Sequence, residues 1–487
     1  MKRSKRLYIL LGILAVVCAG TYGVLRYEER KEQISNSEEV VLEIASDDVT
    51  GLSWEYNSET LSFHKDETWS YDEDEAFPVS EDKINELLDM FQEFSVSFII
   101  EEVEDYGQYG LDDPVCTITV ETADETYEIQ LGDYSTMDSE RYVSIGDGNV
   151  YLVQEDPLDS FDAVLSDMIE NDETPSFGSA EVTQIQFAGS EEYEITYEEN
   201  STNTYCADDV YFTERDGETR PLDTSNVDSY LSTISGLTLT DYVTYNATEE
   251  ELASYGLDDP DLTVTVQYTP EEDEDIEENE AVAQTFVLNI SRDPEEAAAA
   301  EEEAEDTAES GSAESSDTQS DETEEITAYV RVGDSQIVYQ LTTDQYNSLT
   351  AASYNDLRHQ EVLTADFDDI QQIDISLEDQ EYTITVKEED DSKTYYYGEE
   401  ELDISDFQSA LEALTADSFT DEAPADKEEI GLTLHLDNEN YPEVTVELYR
   451  YDGNDCLAVV DGEPVSLVER SYVVDLIEAV NAIVLNS

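Results

Sequence analysis

Apolar positions along the chain repeat one compound rhythm three times. Val49, Leu52 and Trp54, then Val182, Ile185 and Phe187, then Ile370, Ile373 and Ile375 open strands with a step of three followed by a step of two. An alternating strand follows, as in Tyr193-Ile195-Tyr197 and Tyr382-Ile384-Val386. Such alternation suits a half-buried strand, because successive side chains leave opposite faces. A helix is predicted next, with Ser80, Asp223 and Asp403 as its N-cap residues. The stripes Ile84-Leu87-Leu88-Phe91, Val227-Tyr230-Leu231-Ile234 and Phe407-Ala410-Leu411-Leu414 each line one helical face. Val79, Leu222 and Leu402 stand just before the caps, placed to staple onto the residue four past each cap.

The second half of each unit repeats too. Paired strands are predicted at Cys116-Ile118-Val120 with Tyr127-Ile129-Leu131, at Leu262-Val264-Val266 with Phe286-Leu288-Ile290, and at Leu432-Leu434-Leu436 with Val444-Val446-Leu448. Hairpins follow from Tyr142, Tyr329 and Leu457, with Gly-Asp-Gly, Gly-Asp-Ser and Asp-Gly tips. Short helical patterns close the units near 157–169, 343–354 and 469–482. Strands punctuated by isolated helices predict an α+β fold of three tandem units, each a mostly antiparallel sheet with amphipathic helices. The units span 45–178, 179–358 and 359–487. The second carries acidic inserts near 270–283 and at 293–325, and the latter has too few bulky apolar residues to fold, so it reads as a disordered loop with at most a transiently helical start.

The string YGLDDP occurs twice, as Tyr109-Gly110-Leu111-Asp112-Asp113-Pro114 and Tyr255-Gly256-Leu257-Asp258-Asp259-Pro260. It reads as a turn into the following strand rather than a doubled acid site. Gly110 and Gly256 suit positive φ, and Asp113 and Asp259, each before proline, are pushed toward extended backbone. Tyrosine and leucine are expected to anchor the turn on the preceding helix. The third unit keeps only Ile430-Gly431-Leu432, so the turn is read as what all three units share and the acid pair as what varies.

Charge narrows the partners. The 487 residues hold 124 Asp+Glu against 20 Lys+Arg, a formal net charge of −104. Such a surface repels nucleic acid and anionic lipid and gathers cations. Solubility or salt adaptation would produce the same surface. At the N-terminus, Lys2, Arg3, Lys5 and Arg6 form a basic tip (1–6) before an uncharged stretch at 7–25, long enough for one transmembrane helix. The basic tip is expected to stay cytoplasmic, which puts a 26–44 linker and everything beyond it outside, on a single-pass cell-membrane anchor. Cleavage after Ala19 and lipid attachment at Cys18 are the alternatives, although Val17 is bulky for a lipoprotein cleavage site.

An anchor followed by repeats with YGLDDP, a strand pair ending in glycine, and a YV-x-V…VY hairpin resembles a bacterial family, domain of unknown function 4340. The resemblance covers most of the chain after about residue 45. It implies an extracytoplasmic, single-anchor protein, accessory to an ABC-type transporter or envelope complex. It supplies no catalytic residue.

Recognisable chemistry is sparse. His64, His359 and His435 sit at unrelated positions with no HxxxH spacing, and read as surface or strand-edge residues. Ser80-Glu81-Asp82-Lys83 matches an S-x-x-K nucleophile pattern, yet its counterparts Asp223 and Asp403 are caps. Cys18, Cys116, Cys206 and Cys456 have no paired spacing, and Cys116 aligns with Leu262 as a small core residue. No regular calcium loop occurs, so divalent cations are expected to bind weakly and diffusely, if at all. No cofactor and no metal ligand is assigned. The reading is a non-enzymatic, membrane-anchored scaffold or binding protein, with a calcium-responsive surface protein or an extracellular carboxylate-based hydrolase as alternatives.

Overall fold

The computed structural model describes residues 39–101, 103–178, 181–270, 282–309, 325–378, 380–389, 392–424 and 427–486. The expected anchor, its basic tip and most of the linker lie outside them. Among the described residues no helix is long and apolar enough to cross a membrane. The last part of the expected linker is a strand, Glu39–Leu42, paired antiparallel with Phe94–Val96. The chain forms two compact units, Met1–Asn171 and Asp172–Ser487. The first holds one large sheet and the second holds two.

All three large sheets are antiparallel and share one strand order. In the second repeat it runs Glu218–Pro221, Tyr211–Arg215, Tyr193–Tyr197, Val182–Gly189, Leu262–Tyr268, Gln284–Arg292, Ala328–Val332, Val338–Leu341, Tyr242–Thr244. The chain starts at the sheet centre and meanders to one edge. A helix then carries it to the far edge, where a short strand docks, and the chain returns to the centre and meanders outward to meet that strand. The third repeat follows the same path, and the first does so with one strand fewer.

The three-then-two apolar spacing has a physical cause. Each central strand slips register once, between Val49 and Gly51, between Val182 and Gln184, and between Ile370 and Gln372. The extra residue of a bulge breaks the two-residue alternation and returns both flanking apolar residues to the core face. Val49, Leu52, Val182, Ile185, Ile370 and Ile373 are accordingly buried.

Helices Glu81–Asp89, Thr224–Ser235 and Ser405–Glu412 bury their stripes, with Ile84, Val227 and Phe407 at or near full burial. Their caps differ. Asp223 accepts from the backbone N–H groups of Ser225 at 2.8 Å and Asn226 at 3.3 Å. Ser80 holds the N-cap position without a side-chain capping bond. Asp403 is displaced from the expected place, because Ile404 is the N-cap residue and is drawn into the core. Asp403 instead accepts from the Ser405 backbone N–H at 3.2 Å, one residue early.

The Ala/Glu-rich start of the acidic insert, read as at most transiently helical, takes up a helix, Pro294–Glu309. Asp293 caps it by accepting from the N–H groups of Glu295 and Glu296, and Glu296 accepts from the backbone and hydroxyl of Thr327. These bonds satisfy the first turn of the helix, where its free N–H groups favour acidic side chains.

The two YGLDDP strings are helix-terminating turns. Gly110 (φ 72°) and Gly256 (φ 73°) are left-handed, while Leu111 and Leu257 are buried and all four aspartates are exposed. Leu257 packs near Leu252 of the preceding helix Glu249–Ser254. The tyrosines go elsewhere than expected. Tyr109 lies against Tyr142 at 5.0 Å between ring centroids, and Tyr255 against Tyr329 at 4.7 Å, so each anchors on the following hairpin. Among the described residues the third repeat shows no such turn. Gly431 and Leu432 lie inside strand Glu428–Leu436, where Leu432 pairs with Ile375 as Val264 pairs with Phe187. A Gly-Leu pair flanked by apolar residues fits an extended central strand equally well, and ladder bonds on both sides decide it.

A methyl group on Gly110 would sit 2.8 Å from the backbone nitrogen of Asp133, and φ there is already unfavourable for an L side chain. Gly110→Ala is expected to destabilise the first unit by about 1–3 kcal/mol in urea unfolding, and Asp113→Ala by no more than about 0.5 kcal/mol. The reverse order would restore the acid pair as the important part of the string.

Candidate functional site

Chemistry-bearing side chains converge where the second repeat meets the third, inside the Asp172–Ser487 unit. Hairpin Tyr211–Arg215 and Glu218–Pro221 forms the edge of the second sheet, and its tip residues Asp216 (φ 57°) and Gly217 (φ 85°) are left-handed. This turn matches the twist of the flanking strands and places Arg215 and Arg220 near the tip. Helix Tyr354–Leu357, held by a Ser353–Asp356 capping box, ends at Arg358. The third repeat contributes Phe419 and, from a hairpin tip, Gly462 and Glu463. Together they line an open cleft of about 720 Å³.

Aromatic faces organise the cations. The Arg215 guanidinium lies 4.3 Å from the centroid of Tyr354, and that of Arg358 lies 4.9 Å from the same ring and 4.2 Å from Phe419. Arg220 donates to Glu463 across the junction at 2.7 Å and to Glu218 at 3.2 Å. Arg215 has Glu191 at 3.8 Å. Arg358 has no ion-pair partner among the described residues. Burial, and repulsion from Arg220 and Arg215, lower its pKa from the usual arginine value.

A histidine cage adjoins this cleft. His359 Nε2 lies 2.8 Å from Oδ1 of Asp209, a carboxylate with 1% side-chain exposure that also accepts from the Thr204 hydroxyl at 2.5 Å. The other ring nitrogen faces Asp223 and Glu361, each at 3.9 Å. One atom from each of Asp223, His359 and Glu361 falls within 4.8 Å of the others, a three-donor set. A buried carboxylate on the far nitrogen is the arrangement that orients a metal-ligating imidazole. Imidazole with carboxylates suits a zinc-type ion better than calcium, which prefers oxygen donors. The same cage equally holds an imidazolium.

Cys206 adjoins the cage, with its side chain against Asp209, and the other sequence candidates lie apart from this place. Ser80 is buried, and Lys83 pairs with Glu86 at 3.1 Å. His64 pairs with Asp72 at 2.6 Å, and His435 lies between Asp374 at 2.9 Å and Glu443 at 3.6 Å on neighbouring strands. Burial pushes the Cys116 thiol up to about 12 and those of Cys206 and Cys456 up to about 11. Cys456 does have basic neighbours, Arg470 and Arg450, and burial still prevails. Cys116 and Leu262 occupy matching positions, opposite Tyr56 and Gly189. The arginine cleft and the cage were missed because their members are far apart in the chain. The adjacent Arg358-His359 pair, with two of the few cationic or titratable nitrogens, was the only local signal.

Burial alone would lower the His359 pKa, but the hydrogen bond and charge of Asp209, with the charges of Asp223 and Glu361, raise it above the ordinary 6.5. A raised folded-state pKa adds stability that is complete below the unfolded value and is lost as pH rises through the folded value. In chelator-treated buffer, the stability advantage of the natural chain over His359→Gln should therefore be greatest below about pH 6.5 and shrink toward alkaline pH. Urea midpoints of both proteins across that range provide the check, and a difference constant with pH would contradict it.

No curated protein and no solved structure matches this chain. The model of the domain of unknown function (DUF4340) matches twice, at residues 69–260 and 219–434. Neither stretch coincides with one sheet. The first opens at strand Trp69–Tyr71 of the first sheet and stops just before strand Leu262–Tyr268 of the second. The second likewise opens on an edge strand of its first sheet and ends in the central strand Glu428–Leu436 of the next. The matched region thus joins the helix-bearing part of one repeat to the opening of the following one. With most of its length covered by these two overlapping matches, the chain belongs to the DUF4340 family.

Proposed function

We propose that this chain is a non-enzymatic scaffold or binding protein, held in the membrane by its N-terminal apolar stretch and working outside the cytoplasm beside an ABC-type transporter or envelope complex. One observation carries this reading. The side chains that recur at equivalent places in all three repeats are core residues, whereas the reactive-looking groups occur singly. A repeated architecture with unrepeated chemistry suits a surface that presents and binds. Crosslinking in membranes followed by purification of the full chain should recover a transporter or envelope component. Recovery of the chain alone would overturn the proposal. A hydrolytic activity abolished by changing Asp112, Asp113, Asp258 and Asp259 to Asn, with the fold intact, would move the function to the carboxylate-hydrolase alternative.

A cation-responsive role is the second reading, and the Asp223, His359 and Glu361 donor set favours it. The imidazole directs it to a zinc-type ion. Zinc added to the full chain should raise the melting temperature of the Asp172–Ser487 unit at concentrations where calcium does not. The shift should vanish in His359→Gln. An equal response to calcium, surviving that substitution, would leave only diffuse binding to surface carboxylates.

A further inference from the structure

We propose that the cleft between the second and third repeats binds a carboxylate-bearing ligand, with Arg358, held against Tyr354 and Phe419, as its direct partner. The proposal deepens the binding reading above by naming a ligand chemistry. Its test needs neither membrane nor partner protein, so either can fail alone.

The argument begins with scarcity. The chain has 20 basic residues against 124 acidic ones, so chance placement would surround every cation with carboxylates. Three arginines nevertheless meet in one cleft. Arg220 is neutralised by Glu218 and Glu463, and Arg215 is near Glu191. Arg358 is the exception, since among the described residues its guanidinium makes no ion pair and no hydrogen bond. Removing a guanidinium from water without an anionic partner is costly, and two neighbouring arginines add repulsion. Stacking on Tyr354 and Phe419 offsets part of this and fixes the plane of the group. The five N–H donors are left in a fork that matches a carboxylate edge.

The surroundings select the ligand class. Asp216, Glu218, Asp421 and Glu463 also line the cleft. These four carboxylates outnumber the three arginines by one, so no net positive field gathers anions at longer range. That disfavours a compact dianion such as phosphate and leaves recognition to direct contact with Arg358. A carboxylate brings a single charge per group and can meet the fork in its own plane, and Glu463 already accepts one N–H bond from Arg220 within the same cleft. The volume of about 720 Å³ admits a small organic acid or an acidic side chain of a peptide.

The test titrates the full chain with acetate, succinate and tricarballylate at fixed ionic strength, with inorganic phosphate in parallel, by calorimetry. Saturable one-site binding of at least one carboxylate is expected, weakened about tenfold or more by Arg358→Gln and less by Arg358→Lys, which keeps the charge and loses the fork. Arg450→Gln, whose partner is Glu429, should leave binding unchanged. Circular dichroism and melting check the fold. Should Arg358→Gln fail to fold, Arg358→Lys carries the test, and weaker binding than in the natural chain is expected of it. The proposal is overturned if no carboxylate saturates, if the Arg358 variants bind as the natural chain does, or if phosphate binds more tightly than every carboxylate.

Discussion

The antiparallel ladder between two central strands carries each repeat. Val49–Tyr56 pairs with Cys116–Thr122, Val182–Gly189 with Leu262–Tyr268, and Ile370–Leu377 with Glu428–Leu436. Each ladder joins strands with at least fifty residues between them, and in forming it closes a loop holding the edge strands and the helix. Its entropy cost grows slowly with loop length and is offset by core-facing residues on both strands. Trp54, Ile118, Phe187, Val264, Ile375 and Leu432 are all buried there. Once the ladder is set, the first meander can extend only to one side and the second only to the other. The helix must span the sheet between them, which is why its apolar stripe recurs so faithfully. The left-handed glycine turns lie on the return path and aim the chain into the second central strand.

Charge is the opposing constraint. A net −104 distributed over the surface pushes acidic repeats apart, and close contact between two of them needs local compensation. The second and third repeats achieve it with a few well-placed nitrogens. Arg220 reaches Glu463 of the third repeat, Arg358 stacks on Phe419, and His359 sits among Asp209, Asp223 and Glu361. Tyr205 of the second repeat packs against the hydrophobic core of the third. The same groups that make one compact unit of two repeats also produce the most distinctive chemistry in it, so assembly and recognition share residues here.

Much of the architecture was legible because it rests on local periodicity. Strand alternation, the helical stripes and the hairpin tips each lie within about a dozen residues, and each reflects which face meets the core. Errors arose where a local pattern admits two backbones. Gly431-Leu432 suited a turn and lies in a strand. Asp403 suited a cap, and the adjacent Ile404 took the position through its own burial. Tyr109 and Tyr255 had apolar partners in either direction, and the returning hairpin supplied them. Pro294–Glu309 lacked apolar content yet found a capping aspartate and an anchor at Thr327.

The sequence by itself determined the threefold repetition, the α+β character, the apolar faces and the bulged spacing of the central strands, because burial imposes a period that can be read residue by residue. Only the tertiary structure decided the site. His359 and Asp209 are 150 residues apart, and Arg220 and Glu463 are 243 apart. No period links such positions. Their meeting follows from how two finished sheets pack, and so does Arg358, left at the junction without a carboxylate among the described residues of a chain crowded with them.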